Sequence, residues 1–168
     1  GTAVLARKGL GTTPHEAVRD GFQHRIAGAW IGAGMRGGVH VFSIYLKDCD
    51  QLGSTNVAIL TELAALIGAT RGPWIVGGDW NVEPHLLQQS NWWSLVQGRI
   101  HAPTEPTCYE KRYDYFVTSK SLSASVAKVV RLHDTFTGPH WATLLYLRGD
   151  ARHKAVRRLV RPCRVPPT

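Results

Sequence analysis

The stretch that decides the fold spans residues 73–84 and reads Pro73-Trp74-Ile75-Val76-Gly77-Gly78-Asp79-Trp80-Asn81-Val82-Glu83-Pro84. A short apolar run ends in two glycines, and a carboxylate and a carboxamide follow, one residue apart. This pattern predicts a buried strand that carries Asp79 and Asn81 to the carboxyl edge of a sheet, where open α/β folds bind their ligands. The glycines allow a close backbone turn there. The rest of the chain must then supply partners for these two side chains.

The elements on either side of this stretch predict an α/β crossover. Residues 39–46 are rich in β-branched and aromatic side chains, which is typical of a strand. Residues 54–68 have the clearest helical periodicity, and we expect Ser54 or Thr55 to cap the helix and Gly68 to end it. The apolar positions of this helix are Val57, Leu60, Leu63, Ala64 and Ile67. A strand, a helix and a strand in succession predict two parallel neighbours in one sheet.

Further strands are predicted at residues 2–7, 24–31, 113–119, 125–132 and 141–147. Pro84 is expected to open a helix that runs through residue 89. Thr13 and Pro14 resemble a helix cap, so a short helix or turn is expected to follow them. Residues 91–106 are expected to be irregular, with Trp92 and Trp93 packing on the core rather than stacking on a base.

The glycine-rich residues 32–38 have the spacing of a phosphate-binding loop. Such a loop leads into a helix, whereas here a strand-like run follows. We therefore interpret residues 32–38 as a hairpin loop.

Composition indicates a globular chain. The 168 residues are enough for one domain with a single core, and 43% hydrophobic and 19% charged residues are typical of a globular protein. No apolar run is as long as a membrane-spanning helix requires. Cys49, Cys108 and Cys163 lie far apart and lack zinc-site spacing, which favours a reduced, intracellular setting in nucleus or cytoplasm. No signal peptide is visible, and we expect a monomeric domain that is a piece of a longer protein.

The formal net charge of +8 favours a polyanionic partner such as nucleic acid. Much of the excess lies in residues 148–168, so we expect a domain at residues 1–147 followed by a basic tail. The alternative for that tail is a solvated helix face or a flexible end.

Four polar residues, Asp79, Asn81, Asp114 and His140, lie at strand ends or in adjoining loops. Taken singly, each has an ordinary explanation: the first two can cap a turn, Asp114 can pair with a surface arginine, and His140 can be a loop histidine. Only their order along the chain and their local context suggest a shared site.

Three segments together resemble the endonuclease/exonuclease/phosphatase superfamily, which has the DNase I-like fold. They are Gly-Gly-Asp-Trp-Asn at 77–81, Tyr-Asp-Tyr-Phe-Val-Thr-Ser at 113–119 and Gly-Pro-His-Trp at 138–141. The resemblance implies an α/β (α+β) fold, a four-layer sandwich of two mixed sheets flanked by helices, here lacking the N-terminal strands. It also implies phosphodiester hydrolysis, with Mg²⁺ or Mn²⁺ as cofactor.

The resemblance also implies roles for single residues. Asp79 would orient or deprotonate the attacking water and contribute weakly to metal binding, because its partner ligands are missing. Asn81 would hold the phosphate or the water. Tyr45 would hydrogen-bond a phosphate oxygen, and Arg25, which matches a recurrent arginine of the family, would also bind the substrate.

His140, paired with Asp114, would face the phosphate in the same scheme. A carboxylate partner favours the imidazolium and fixes its orientation, so His140 could stabilise developing negative charge.

The sequence departs from the family pattern in two ways. Pro139 stands where the family has an aspartate before its last histidine. The family's early asparagine and metal-binding glutamate would lie N-terminal to Gly1. We therefore expect weak metal affinity and impaired activity.

Three functions remain open at this point. A nucleic-acid endonuclease, as in a retrotransposon-type polyprotein, is favoured by the net charge. A phosphatase of inositol lipids or other small phosphates has the same fold. A catalytically inactive remnant that only binds nucleic acid would explain Pro139.

Overall fold

A six-stranded mixed sheet is the centre of the molecule. The computed structural model describes residues 1–15, 22, 24–32, 37–134 and 138–148. The sheet contains β1 (Thr12–Pro14), β2 (Ile26–Ile31), β3 (Val39–Tyr45), β4 (Trp74–Asp79), β5 (Gly98–His101) and β6 (Asp114–Ser119) in the order β1-β2-β3-β4-β6-β5. A separate antiparallel pair consists of β7 (Val126–Arg131) and β8 (Thr143–Leu147). The helices are α1 (Ser54–Ala69), α2 (Pro84–Gln89), α3 (Trp92–Leu95) and α4 (Lys120–Ser123).

The predicted crossover is confirmed. β3 and β4 are parallel neighbours, and α1 connects them. The pairing of β4 with β6 is antiparallel, so the end of β4 lies beside the start of β6. This arrangement brings the carboxyl end of β4 next to residues that follow it by more than thirty positions.

Two details of α1 differ from the prediction. Neither Ser54 nor Thr55 caps the helix: Gly53 is the N-cap, and the Asp50 carboxylate accepts the backbone N–H of Asn56 at 3.0 Å instead. Val57 is 48% exposed, because the buried face of the helix is formed by other residues, among them Ile59, Leu63 and Ile67. The helix continues one residue past Gly68, to Ala69.

Apolar side chains cover both faces of the large sheet. On one face, β3, β4 and β6 pack against α1, α2 and α3; this core contains Phe42, Ile44, Ile59, Leu63, Val76, Leu87, Trp92 and Val117. On the other face, Ile31 and Val39 pack with Leu122 and with Leu147 of β8. Helices, large sheet and small sheet are thus three of the four predicted layers, and the described residues contain no outer helix layer on the small sheet.

Two regions were predicted wrongly. Residues 2–7 are not a strand, although Val4 and Ala6 pack on the large sheet. Within the described part of the chain, no strand pairs with their backbone. Residues 91–106 are not irregular, because they contain α3 and β5, and β5 pairs with β6.

The tryptophans of α3 pack as predicted. Trp92 is buried and donates its indole N–H to the carbonyl of Leu60 at 2.8 Å. Trp93 is half-buried and donates to the carbonyl of Gln88 at 2.8 Å. Tertiary packing on α1 therefore gives this short helix its place.

Three predictions fall on residues that the structure does not describe: the short helix or turn expected after Pro14, the tip of the 32–38 loop, and the tail beyond residue 148. Thr13 and Pro14, which were expected to cap that helix, lie in β1. Among the described helices, none is long and apolar enough to cross a membrane.

Candidate active site

Three polar residues form a row across the large sheet. Tyr45 on β3 lies directly opposite Asp79 on β4, and Asp79 lies directly opposite Asp114 on β6. Side chains alternate between the two faces of a strand, and Tyr115 and Val117 belong to the helix-side core. Asp114, and with it the whole row, therefore faces away from the helices.

His140 joins this row from the segment that precedes β8. Its Nδ1 lies 2.9 Å from Oδ2 of Asp114, and its Nε2 lies 3.9 Å from Oδ2 of Asp79. The shorter contact is a hydrogen bond, with Nδ1–H as the donor and the carboxylate as the acceptor. This bond fixes the ring so that Nε2 faces Asp79.

Asn81 donates two hydrogen bonds to the carboxylate of Asp79. Its backbone N–H donates to Oδ1 of Asp79 at 3.1 Å, and its side-chain NH₂ donates to Oδ2 at 3.2 Å. The same NH₂ group also donates to the carbonyl of Leu46 at 2.9 Å. Asn81 is only 8% exposed and has a positive φ of 45°, which asparagine tolerates better than most residues. These contacts restrict Asp79 to one orientation.

The turn that carries Asp79 depends on close packing of its neighbours. Gly78 has a φ of 155°, and a Cβ at this position would collide with the backbone carbonyl of Ile44. Trp80 is fully buried, stacks on Tyr115 with ring centroids 5.0 Å apart, and donates its indole N–H to the Tyr115 carbonyl at 3.0 Å. Asp79 and Asn81 thus flank a side chain that is anchored in the core.

The pKa of Asp79 is raised above its ordinary value. Burial of the carboxyl group is the main cause, and the nearby charge of Asp114 adds to it. The hydrogen bonds from Asn81 and the proximity of His140 oppose the shift without cancelling it. Such a carboxyl group takes up a proton more readily than one in water.

Asp79, Asp114 and His140 form a cluster that could hold a metal ion, the one such cluster of three among the described residues. One ligand atom from each lies within 4.8 Å of the others. Carboxylate oxygens suit hard divalent cations, and a cation would relieve the repulsion that raises the Asp79 pKa. The donor set therefore fits Mg²⁺ or Mn²⁺, whereas Pro139 is exposed and offers no ligand.

Arg25 and Tyr45 lie together at the rim of this site. The guanidinium carbon of Arg25 lies 4.6 Å from the centroid of the Tyr45 ring, a cation–π contact. The backbone N–H of Tyr45 also donates to the carbonyl of Arg25 at 2.9 Å. Two of the three predicted substrate-binding residues, Tyr45 and Arg25, therefore contact each other, and Tyr45 lies opposite Asp79.

Sequence reasoning missed one part of the site, the loop that contains Thr107 and Cys108. The Thr107 hydroxyl accepts the backbone N–H groups of Tyr113 and Asp114, each at 2.9 Å. Cys108 is buried and forms an isolated backbone bridge with His140. No periodicity or motif in residues 103–112 indicates these contacts, which arise only when the loop folds back on β6.

No family model and no curated protein matches the sequence. Solved structures do match in three dimensions. The endonuclease domain of TRAS1, a telomere-specific non-LTR retrotransposon, aligns with a TM-score of 0.65 at 14% identity, covering 83% of this chain and 68% of that one. The 3'-5' exonuclease NExo of Neisseria meningitidis aligns at 0.60 and 13%, covering 83% and 71%.

A third match is the cytolethal distending toxin of Actinobacillus actinomycetemcomitans. It aligns with a TM-score of 0.54 at 18% identity, covering 72% of this chain, which spans only 52% of the toxin chain. Another similar structure is described as an endonuclease/exonuclease/phosphatase family protein, from Leptotrichia buccalis. At these identities the likeness establishes the fold, and the chain therefore has the DNase I-like fold of the endonuclease/exonuclease/phosphatase proteins.

Proposed function

We propose that this chain hydrolyses phosphodiester bonds in nucleic acid with the help of a divalent metal ion. The observation that supports this best is the convergence of Asp79, Asp114 and His140 at one edge of the sheet. Phosphodiester hydrolysis needs a water aimed at phosphorus and positive charge or hydrogen-bond donors opposite the phosphoryl oxygens. The cluster offers a base, the Asp79 carboxylate, and a hydrogen-bond donor, His140 Nε2, 3.9 Å apart.

Asp79 is the group proposed to orient and deprotonate the attacking water. In the absence of a metal ion, burial raises the pKa of Asp79, so its carboxylate accepts a proton more readily than an ordinary one. Asn81 keeps both carboxylate oxygens in place, because it donates one hydrogen bond to each. We therefore assign Asn81 chiefly to positioning Asp79, since its NH₂ group is already engaged with protein acceptors.

His140 is proposed to face the phosphate with Nε2. Asp114 accepts the hydrogen bond from Nδ1–H and so orients the ring, and a proton on Nε2 could then be donated to a phosphoryl oxygen and stabilise its negative charge. The Tyr45 hydroxyl and the Arg25 guanidinium lie at the neighbouring end of the row and would bind the phosphate backbone.

A metal ion held by the carboxylates of Asp79 and Asp114 would neutralise charge on the phosphate oxygens, and His140, which faces the phosphate, would not be a ligand in that arrangement. We propose that this cluster binds metal weakly, because Pro139 contributes nothing where the resemblance implies an aspartate. The chain's own residues would then give slow rather than efficient cleavage.

Nucleic acid is the substrate that the charge of the chain favours. The net charge is +8, and seven of the twenty Lys and Arg residues lie in residues 148–168. Two of the similar structures are named as a retrotransposon endonuclease domain and as an enzyme bound to a product DNA hairpin. We infer that residues 1–147 are the catalytic domain and that the basic segment after them strengthens binding to the substrate.

The test is relaxation of supercoiled plasmid DNA by the purified chain in Mg²⁺ and in Mn²⁺. Slow nicking that EDTA stops and that Asp79→Ala removes would support the proposal. Hydrolysis of an inositol phosphate without nicking would replace nucleic acid by a small-phosphate substrate. Salt-dependent DNA binding with no hydrolysis of either substrate would contradict catalysis and indicate a binding protein.

Substitution of Pro139 by aspartate is expected to increase both metal affinity and nicking. The new carboxylate would lie beside His140 and add a group near the cluster. The groups around a metal site typically change affinity or activity by about 10–100-fold, so an increase of about 10-fold is expected. The measurement is the initial nicking rate as a function of Mg²⁺ concentration.

Pro139→Ala is the matched control, because it removes the proline ring without adding a carboxylate. We expect this variant to stay at the parent rate. An equal increase in both variants would show that the proline ring, and not a missing carboxylate, limits the reaction.

A further inference from the structure

Thr107 lies at the junction of the two segments that carry Asp114 and His140. It is fully buried, with 0% of its surface exposed. Its backbone is also engaged: the Thr107 N–H donates to the carbonyl of Lys111 at 2.8 Å, and its carbonyl accepts the N–H of Trp141 at 2.7 Å. A polar side chain is buried at such a place only if it is hydrogen-bonded.

The Thr107 hydroxyl is the acceptor for two consecutive backbone N–H groups. Those of Tyr113 and Asp114 both lie 2.9 Å from Oγ1. Asp114 is the first residue of β6 and Tyr113 directly precedes it, and the Tyr113 carbonyl accepts the N–H of Trp80 at 2.8 Å. The hydroxyl therefore holds the strand end on which the Asp114 side chain is mounted.

The Thr107 backbone carbonyl holds the other partner. Trp141 follows His140 directly, so its hydrogen bond to Thr107 places the histidine relative to the same residue. Cys108, the next residue, bridges to His140 through the backbone. Arg131 supports the loop by donating to the carbonyl of Pro106 at 2.8 Å.

We propose that Thr107 is a positioning residue that sets the distance between Asp114 and His140. The inference rests on the proposed function in one respect, namely that this pair acts in catalysis. Thr107 acts by holding the backbone of Asp114 in place, and it does not itself contact the substrate.

The experiment compares two substitutions of opposite kind. Thr107→Val keeps the shape and exchanges the hydroxyl for a methyl group, which leaves the N–H groups of Tyr113 and Asp114 without their acceptor. Thr107→Ser keeps the hydroxyl and loses only the methyl group. A role in packing alone would make serine the more harmful change, whereas positioning makes valine the more harmful one.

Two readouts are taken for each folded variant. An imidazole N–H that donates to a carboxylate gives a proton NMR signal far downfield, and we expect it in the parent and in Thr107→Ser but not in Thr107→Val. In the plasmid assay we expect kcat to fall about 10-fold for Thr107→Val, a typical effect of groups that orient a site, with KM nearly unchanged. In an Asp114→Ala background, Thr107→Val should lower kcat little further, because Thr107 acts only by positioning Asp114.

Persistence of the downfield signal and of the parent kcat in Thr107→Val would overturn the proposal. If no variant cleaves DNA, the proposed function fails while the NMR comparison still decides whether Thr107 positions the pair. If Thr107→Val does not fold, Thr107→Cys replaces it, because a thiol is only a weak acceptor. A weakened signal is then expected, and a signal equal to that of the parent would overturn the inference.

Discussion

Asp79→Asn is expected to abolish cleavage and at the same time to stabilise the folded protein. Loss of a general base typically costs about 10²–10⁴-fold in rate, and Asn cannot accept the proton of the attacking water. The two hydrogen bonds from Asn81 go to different carboxylate oxygens, so the carboxamide, with its single oxygen, keeps an acceptor for one of them and loses the other. The measurement is the plasmid nicking rate alongside the melting temperature.

The gain in stability follows from the pKa of Asp79. In the metal-free protein, burial and the charge of Asp114 raise this pKa above the value in the unfolded chain. The folded state therefore binds the proton more tightly, and stability is lost as the pH rises from the ordinary carboxyl range through the raised pKa. At neutral pH the ionised carboxylate lowers the free energy of unfolding, and the neutral carboxamide does not.

The pH dependence provides the check. In EDTA, the difference in melting temperature between Asp79→Asn and the parent should be largest near neutral pH and should shrink as the pH falls through the raised pKa. Glu110→Gln, the same chemical change at an exposed position, is the control and should alter neither quantity appreciably. A lower melting temperature for Asp79→Asn than for the parent at pH 7 would contradict the claim that the ionised Asp79 carboxylate destabilises the folded protein.

Gly78→Ala is expected to destabilise the fold by about 3 kcal/mol or more, as expected for a severe overpacking change. The added methyl group would collide with the Ile44 carbonyl, which is backbone and cannot rotate away as a side chain could. Gly78 also has a φ of 155°, which L-residues rarely adopt. β4 would have to move away from β3, and Asp79 at its end would move with it.

Urea denaturation measures this effect, and Gly68→Ala is the matched control. Gly68 lies in α1, and a methyl group there would meet nothing within 4 Å. Because alanine favours a helix over glycine by about 1 kcal/mol, the control should be as stable as the parent or slightly more stable. Equal denaturation midpoints for Gly78→Ala and the parent would contradict the close approach of β4 to β3.

Signals local to each segment predict most of the helices and strands of this protein. The apolar run before Gly77, the periodicity of α1 and the proline that opens α2 are signals within a few residues of each other, so each was visible without a fold. The crossover from β3 to β4 also followed from them, because few topologies allow parallel neighbours. Position at strand ends alone does not single out the candidate site residues, whose roles are implied by the resemblance of three short segments to a known family.

The contacts among the site residues, in contrast, depend on the folded chain. Strand pairing places Asp79 opposite both Tyr45 and Asp114. The register of these strands is set by the burial of their whole apolar faces, and the three polar residues do not determine it. The fold also makes Thr107 part of the site, because its hydroxyl accepts the backbone N–H groups of Tyr113 and Asp114, six and seven residues further along the chain. Every residue except proline has such an N–H group, whatever its side chain. Backbone N–H groups carry no sequence signature, so a residue that acts by binding them becomes visible only in the folded chain.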